Sequence, residues 1–158
     1  MWQPKVEARA LQALAVRPGE SAYEVGTGSG YLAALLARRG AAVTSAEIHP
    51  DLQESAGRSL RSAGVANVTL VGGDSARAPL TDASYDVIVL TGSTPLLPPA
   101  FVERLNPGGR LFAVVGERPV MKALLVTKVG PGDTRTEELF ETVLKPLANA
   151  LAPARFRF

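Results

Sequence analysis

Cysteine is missing altogether from the 158 residues, and with it go disulfides, thiolate metal sites and cysteine nucleophiles. Also missing is an apolar run of the roughly 20 residues that a bilayer-crossing helix needs. The most hydrophobic helix candidate ends at Arg38 and Arg39. No basic-then-apolar leader opens the sequence, so secretion is not indicated and a cytoplasmic location is expected. Charge of one sign barely dominates: the formal net charge is +2, too small to argue for nucleic acid by itself. Internal repeats, linkers and low-complexity tracts are absent as well.

What remains is an ordinary globular composition, 46% hydrophobic and 20% charged, unlike that of a disordered chain. The length suits one domain over residues 1–158, large enough to bury about two-thirds of its unfolded surface. Strand-like and helix-like segments alternate, the mark of a parallel sheet flanked by helices. A helix is expected from Pro4, with Val6, Ala10, Ala13 and Leu14 facing inward, stopped by Arg17-Pro18-Gly19. Strands are expected at Ser21 to Val25, Val43 to Ile48, Asn67 to Val71, Asp86 to Leu90 and Arg110 to Val115. Helices are expected from Tyr31 to Ala37, from Pro50 to Gly64 and from Pro99 to Leu105. Two last strands, near Ala123 to Val129 and Thr136 to Leu144, flank Gly130-Pro131-Gly132-Asp133 as a hairpin. The expected fold is therefore α/β: doubly wound, mostly parallel and seven-stranded, its C-terminal hairpin holding one antiparallel strand.

Chemistry concentrates at Glu24-Val25-Gly26-Thr27-Gly28-Ser29-Gly30-Tyr31, between a strand and a helix. Glycines serve where the backbone turns sharply and a ligand must reach main-chain atoms. The helix that follows offers free N–H groups to a carboxylate or phosphate. The dinucleotide fingerprint G-x-G-x-x-G would need glycine at 31, where Tyr31 stands. The spacing Gly26, Gly28, Gly30 after the acid Glu24 resembles the S-adenosyl-L-methionine-binding motif. Glu47, near the end of the second strand, is placed to accept both ribose hydroxyls. Asp74, after Gly72-Gly73 and the third strand, falls where an adenine amino group would sit. Three acids from three successive strand ends also suit a cationic sulfonium ligand. The expected cofactor-binding residues are Glu24, Gly26, Thr27, Gly28, Ser29, Gly30, Tyr31, Glu47, Ile48, His49, Asp74, Ser75 and Thr91. His49, the one histidine, reads as a rim residue beside Glu47 rather than a base. No catalytic side chain is assigned and no metal site is expected.

Four stretches together, EVGTGSGYLAA from Glu24, ANVTLVGGD from Ala66, YDVIVLTGSTP from Tyr85 and LNPGGRLFAVVG from Leu105, resemble the protein-L-isoaspartate O-methyltransferase family. Phe140-Glu141-Thr142-Val143 with Pro146-Leu147 is similar to that family's final strand. The resemblance runs from about Gln3 to Leu147 and implies a Rossmann-like methyltransferase fold. It implies transfer of a methyl group from S-adenosyl-L-methionine, leaving S-adenosyl-L-homocysteine, to the carboxylate of isoaspartyl residues in damaged proteins. A carboxylate with a pKa near 4 is already ionised at neutral pH, so no general base is required. The family pattern places a substrate-covering segment upstream, with a serine or threonine shortly before a proline. Trp2 stands at that serine position, and this chain is expected to lack the cap.

Three other readings stay open. A non-catalytic homologue would keep the cofactor pocket and lose transfer. A small carboxylic acid as acceptor would use identical chemistry. A nucleic-acid methylase would need an Asn/Asp-Pro-Pro-aromatic motif after the fourth strand, where Thr91-Gly92-Ser93-Thr94 stands without an aromatic. The alternating tail Arg155-Phe156-Arg157-Phe158 reads as a docked or frayed end. Isoaspartyl proteins or peptides are the expected partners.

Overall fold

The side chains of β1 (Ser21–Val25) alternate between two apolar layers, and this sets the architecture. Ala22 belongs to one buried cluster, Tyr23 and Val25 to another, the period-two pattern of a sheet covered on both faces. In the computed structural model, which describes residues 2–154, six further strands follow: β2 (Ala42–Glu47), β3 (Val68–Gly72), β4 (Tyr85–Thr94), β5 (Leu105–Glu117), β6 (Val120–Gly130) and β7 (Asp133–Glu141). They form one sheet of order β3-β2-β1-β4-β5-β6-β7. Strands β1 to β5 pair in parallel. Strand β6 is antiparallel to both its neighbours, so it alone runs against the others, as the expected hairpin requires. The tail Arg155 to Phe158 lies outside the described residues.

Four helices cover the sheet: α1 (Pro4–Leu14), α2 (Tyr31–Arg38), α3 (Pro50–Ser62) and α4 (Pro99–Glu103). Proline opens α1, α3 and α4 at the first turn, where its fixed φ and missing N–H cost nothing. Leu14 of α1 and Leu36 of α2 pack on Val87, Val89 and Phe112 in one layer. Phe101 of α4 packs on Ile88, Leu90 and Leu111 in the other. Arg110 ties the layers' edge together: it donates to the Leu14 and Ala15 carbonyls at the end of α1 and pairs with Glu20 at 2.7 Å.

Two expectations on strand length are corrected. Strand β4 extends through Thr91-Gly92-Ser93-Thr94 rather than ending at Leu90, because Ser93 and Thr94 pair with Val114 and Val115 beyond a register shift. Their hydroxyls, buried, donate to the Leu144 and Leu96 carbonyls at 3.1 and 2.6 Å. Strand β7 ends at Glu141, not Leu144. The segment beyond it turns back along β4, with a parallel bridge from Ser93 to Pro146. Among the described residues no helix is long and apolar enough to cross a membrane.

Candidate functional site

Strand parity decides which side chains meet beyond the carboxyl ends of the parallel strands, where open α/β sheets bind ligands. Glu24 and Thr91 fall on the same face as Ala22, Val87 and Val89, beneath α1 and α2. Val25 and Ala46 fall on the opposite face. Two cavities result, and they meet at Gly26. The first, about 90 Å³, is lined by Glu24, Gly26, Thr27, Gly28, Ser29 and Thr91, with Trp2, Glu7 and Leu32 from the helical side. The second, about 40 Å³, is lined by Glu47, Ile48, Gly73, Asp74 and Ser75, and by Leu147 and Ala148 from the returning tail.

The backbone between them is a turn that L-residues resist. Gly26, Gly28 and Gly30 have φ of +90°, +54° and +81°, left-handed values open chiefly to glycine. Space matters as well as conformation. A Cβ on Gly26 would overlap Thr91 Oγ1, the hydroxyl that donates to the Val25 and Gly26 carbonyls at 2.7 and 2.8 Å. Thr91 thus pins the turn from below.

Glu24 is fully buried. Ser45 donates to its Oε2 at 2.5 Å, and the Ser45 hydroxyl is 2.6 Å from that of Thr27. Its Oε1 has no hydrogen-bond partner, so a buried acceptor lies beside the cavity unsatisfied, which is costly in a folded protein. Burial pushes the Glu24 carboxyl up to about 8, and the nearby Glu47 and Glu7 carboxylates push the same way against the Ser45 hydrogen bond.

Glu47 is buried and accepts from the Gly28 amide at 2.9 Å and the His49 amide at 3.1 Å. It therefore holds the glycine turn and the β2 end together. Asp74 is exposed and both its oxygens are engaged, Oδ1 by the Ala76 amide at 3.0 Å and Oδ2 by Asn149 at 2.8 Å. Those bonds hold its carboxyl below the usual aspartate range. Ser75 is buried and 2.8 Å from the Tyr23 hydroxyl, which fixes the loop carrying Asp74.

The expected residues thus divide. Glu24, Gly26, Thr27, Gly28, Ser29 and Thr91 gather at the first cavity, and Glu47, Ile48, Asp74 and Ser75 at the second. Gly30 sets the turn, its place for a Cβ lying 3.3 Å from Ala56 of α3. Tyr31 and His49 line neither cavity; the Tyr31 side chain is 56% exposed and His49 contributes its amide to Glu47. Sequence reading missed Ser45, Glu7 and the tail residues Leu147 to Asn149. Trp2, which stands at the family's serine position, donates its indole N–H to the Thr91 carbonyl at 2.5 Å, and its ring lies 5.4 Å from Phe112.

Comparison with known proteins supplies the family. The family model for protein-L-isoaspartate(D-aspartate) O-methyltransferase matches residues 1–152. A protein-L-isoaspartate O-methyltransferase of Anaeromyxobacter dehalogenans is 40% identical over 154 residues, covering 96% of this chain and 73% of the relative. One from Methanoculleus marisnigri is 39% identical over 126 residues, covering 80% of this chain and 57% of the relative. A solved protein-L-isoaspartate O-methyltransferase superposes with a TM-score of 0.85 at 26% identity, over 96% of this chain and 49% of that one. An S-adenosylmethionine-dependent methyltransferase of Thiobacillus denitrificans, solved with S-adenosyl-L-homocysteine, gives 0.63 at 26% identity over 72% of this chain and 48% of its own. The chain therefore spans between about half and three-quarters of the length of these proteins. With a family model matched over nearly its whole length, the chain belongs to the protein-L-isoaspartate(D-aspartate) O-methyltransferase family.

Proposed function

We propose that residues 1–158 form one S-adenosyl-L-methionine-dependent methyltransferase domain acting on the free carboxylate of isoaspartyl residues in proteins or peptides. The observation that carries the reading is the pair of cavities joined at Gly26, whose ionisable lining groups are all acids: Glu7 and Glu24 in one, Glu47 and Asp74 in the other. A ligand with a neutral nucleoside at one end and cationic groups at the other fits that charge distribution. Glu47 receives the ribose hydroxyls, the loop of Asp74 and Ser75 the adenine, and the Glu24 cavity the amino acid end. Thr91 fills the place of a Gly26 side chain, whereas nothing lies within 4 Å of the place for one at Gly28, so the main chain stands open to the ligand there.

When bound, the cofactor supplies an electrophilic methyl group on sulfonium sulfur. The protein's share is alignment and exclusion of water, because the acceptor carboxylate is already ionised at neutral pH. Membership of the family, and curated relatives named for this activity at 39–40% identity, support the isoaspartyl acceptor. The test is transfer of a radiolabelled methyl group to an isoaspartyl peptide, run beside calorimetric titration of the cofactor. Base-labile label in the peptide supports the proposal; binding without label removes the transfer step.

Trp2 favours a second reading, a cofactor-binding module without transfer. Its side chain lines the first cavity and its indole N–H donates to the Thr91 carbonyl, at the position where the family pattern has a serine. The same paired assay decides between the two.

A further inference from the structure

Helix α1 brings one charged side chain to the glycine-turn cavity that no sequence motif explains. Glu7, half-buried, lines the same cavity as Glu24, together with Trp2, Leu32 and Thr91. No lysine or arginine lines it, and the ion pairs among the described residues engage neither carboxyl. Glu7 sits in the first turn of α1, where the helix dipole stabilises a carboxylate. Burial nevertheless raises its carboxyl above the ordinary glutamate range, against the lowering by the chain's N-terminal ammonium. Glu7 is also close enough to help push Glu24 up. Two acids flanking one small cavity, with an oxygen of Glu24 unpartnered, is an arrangement that a cation between them would relieve.

We propose that Glu7 is a specificity-determining residue that, with Glu24, brackets the ammonium group at the amino acid end of the ligand. The proposal rests on the reading above, that an adenosyl amino acid occupies both cavities. Gly28 and Ser29, on the same cavity wall, lead into the first turn of α2, whose amides suit the ligand's carboxylate. The ammonium is thereby left to the acids. Glu7 then distinguishes a nucleoside thioether that carries an amino acid from one that does not.

Calorimetric titration of the chain and of Glu7→Gln with S-adenosyl-L-homocysteine and with 5′-methylthioadenosine tests this. The second probe keeps the adenosine and thioether and lacks the amino acid. Glu7→Gln is expected to weaken S-adenosyl-L-homocysteine about five- to tenfold, the effect of one partly exposed charge-assisted bond, and to leave 5′-methylthioadenosine unchanged. Equal loss for both probes, or no loss for either, overturns the proposal. An unsubstituted chain that binds neither probe overturns the reading of the whole site, and this proposal with it.

Discussion

Glu24→Gln replaces a titrating carboxyl by an amide of the same shape, at a position with no exposure to solvent. The carboxyl has its ordinary value near 4.5 in the unfolded chain and is pushed up to about 8 in the fold. Between those values the folded state holds a proton that the unfolded state has released, so stability falls as pH rises. Integrated over the interval from about pH 5 to about pH 8, the linkage amounts to roughly 3 kcal/mol, approaching 1.4 kcal/mol per pH unit in mid-range. The Gln variant has no such proton to lose. Glu7, raised in the same direction, is present in both proteins and largely cancels in the difference. Urea unfolding at a series of pH values, for both proteins, reads the effect. The wild type should lose roughly 3 kcal/mol relative to Glu24→Gln between about pH 5 and pH 8. Parallel profiles over that range would refute the claim that Glu24 is held neutral by burial.

Other predictions follow from neighbouring geometry. Glu47→Ala should weaken S-adenosyl-L-homocysteine roughly ten- to hundredfold by calorimetry, the cost of losing charge-assisted bonds to ribose; it also frees the Gly28 amide. Gly26→Ala meets both a φ of +90° and the Thr91 hydroxyl, so it should lower urea stability by about 2 kcal/mol or more and abolish cofactor binding. Arg110→Ala strands the Leu14 and Ala15 carbonyls and leaves Glu20 without its partner, a loss of about 2–4 kcal/mol at neutral pH. The Arg110 hydrogen bond holds Glu20 below its usual value, so that contribution is present above about pH 4.5 and is lost as pH falls; in acid the gap between variant and wild type should narrow to the part owed to the Leu14 and Ala15 carbonyls. The chain has one tryptophan, and Trp2 lines the first cavity, so cofactor binding should change its emission.

The glycine turn was legible because local chemistry dictates it: β1 occupies Ser21–Val25 as read, and the glycines stand where φ is positive. The acids were legible from their offsets past successive strands. Their division into two compartments was not: Glu47 shares the β2 face of Ser45, and its bonds to the Gly28 and His49 amides and the tail's return set it in the second cavity. Ser45 carried a usable signal, sharing the face of Val43 one step along β2, beside Glu24. Glu7 carried another: with Leu11 and Leu14 it follows an i, i+4, i+7 spacing, which places a carboxylate on the buried stripe of α1. The polar run Thr91 to Thr94 hid the end of β4, because the Thr91 and Ser93 hydroxyls find partners on the distant segments Val25-Gly26 and Leu144, and that of Thr94 in a local turn. The Trp2 contact with Thr91 spans 89 residues, beyond the reach of local pattern.

The account stands on two small compartments acting as one site across Gly26. A crystal structure of the chain with S-adenosyl-L-homocysteine tests that most directly. It should place the ribose against Glu47, the adenine beside Asp74 and Ser75, and the amino acid end in the cavity of Glu24. A ligand seated elsewhere, or reversed so that its adenine enters the Glu24 cavity, would contradict it.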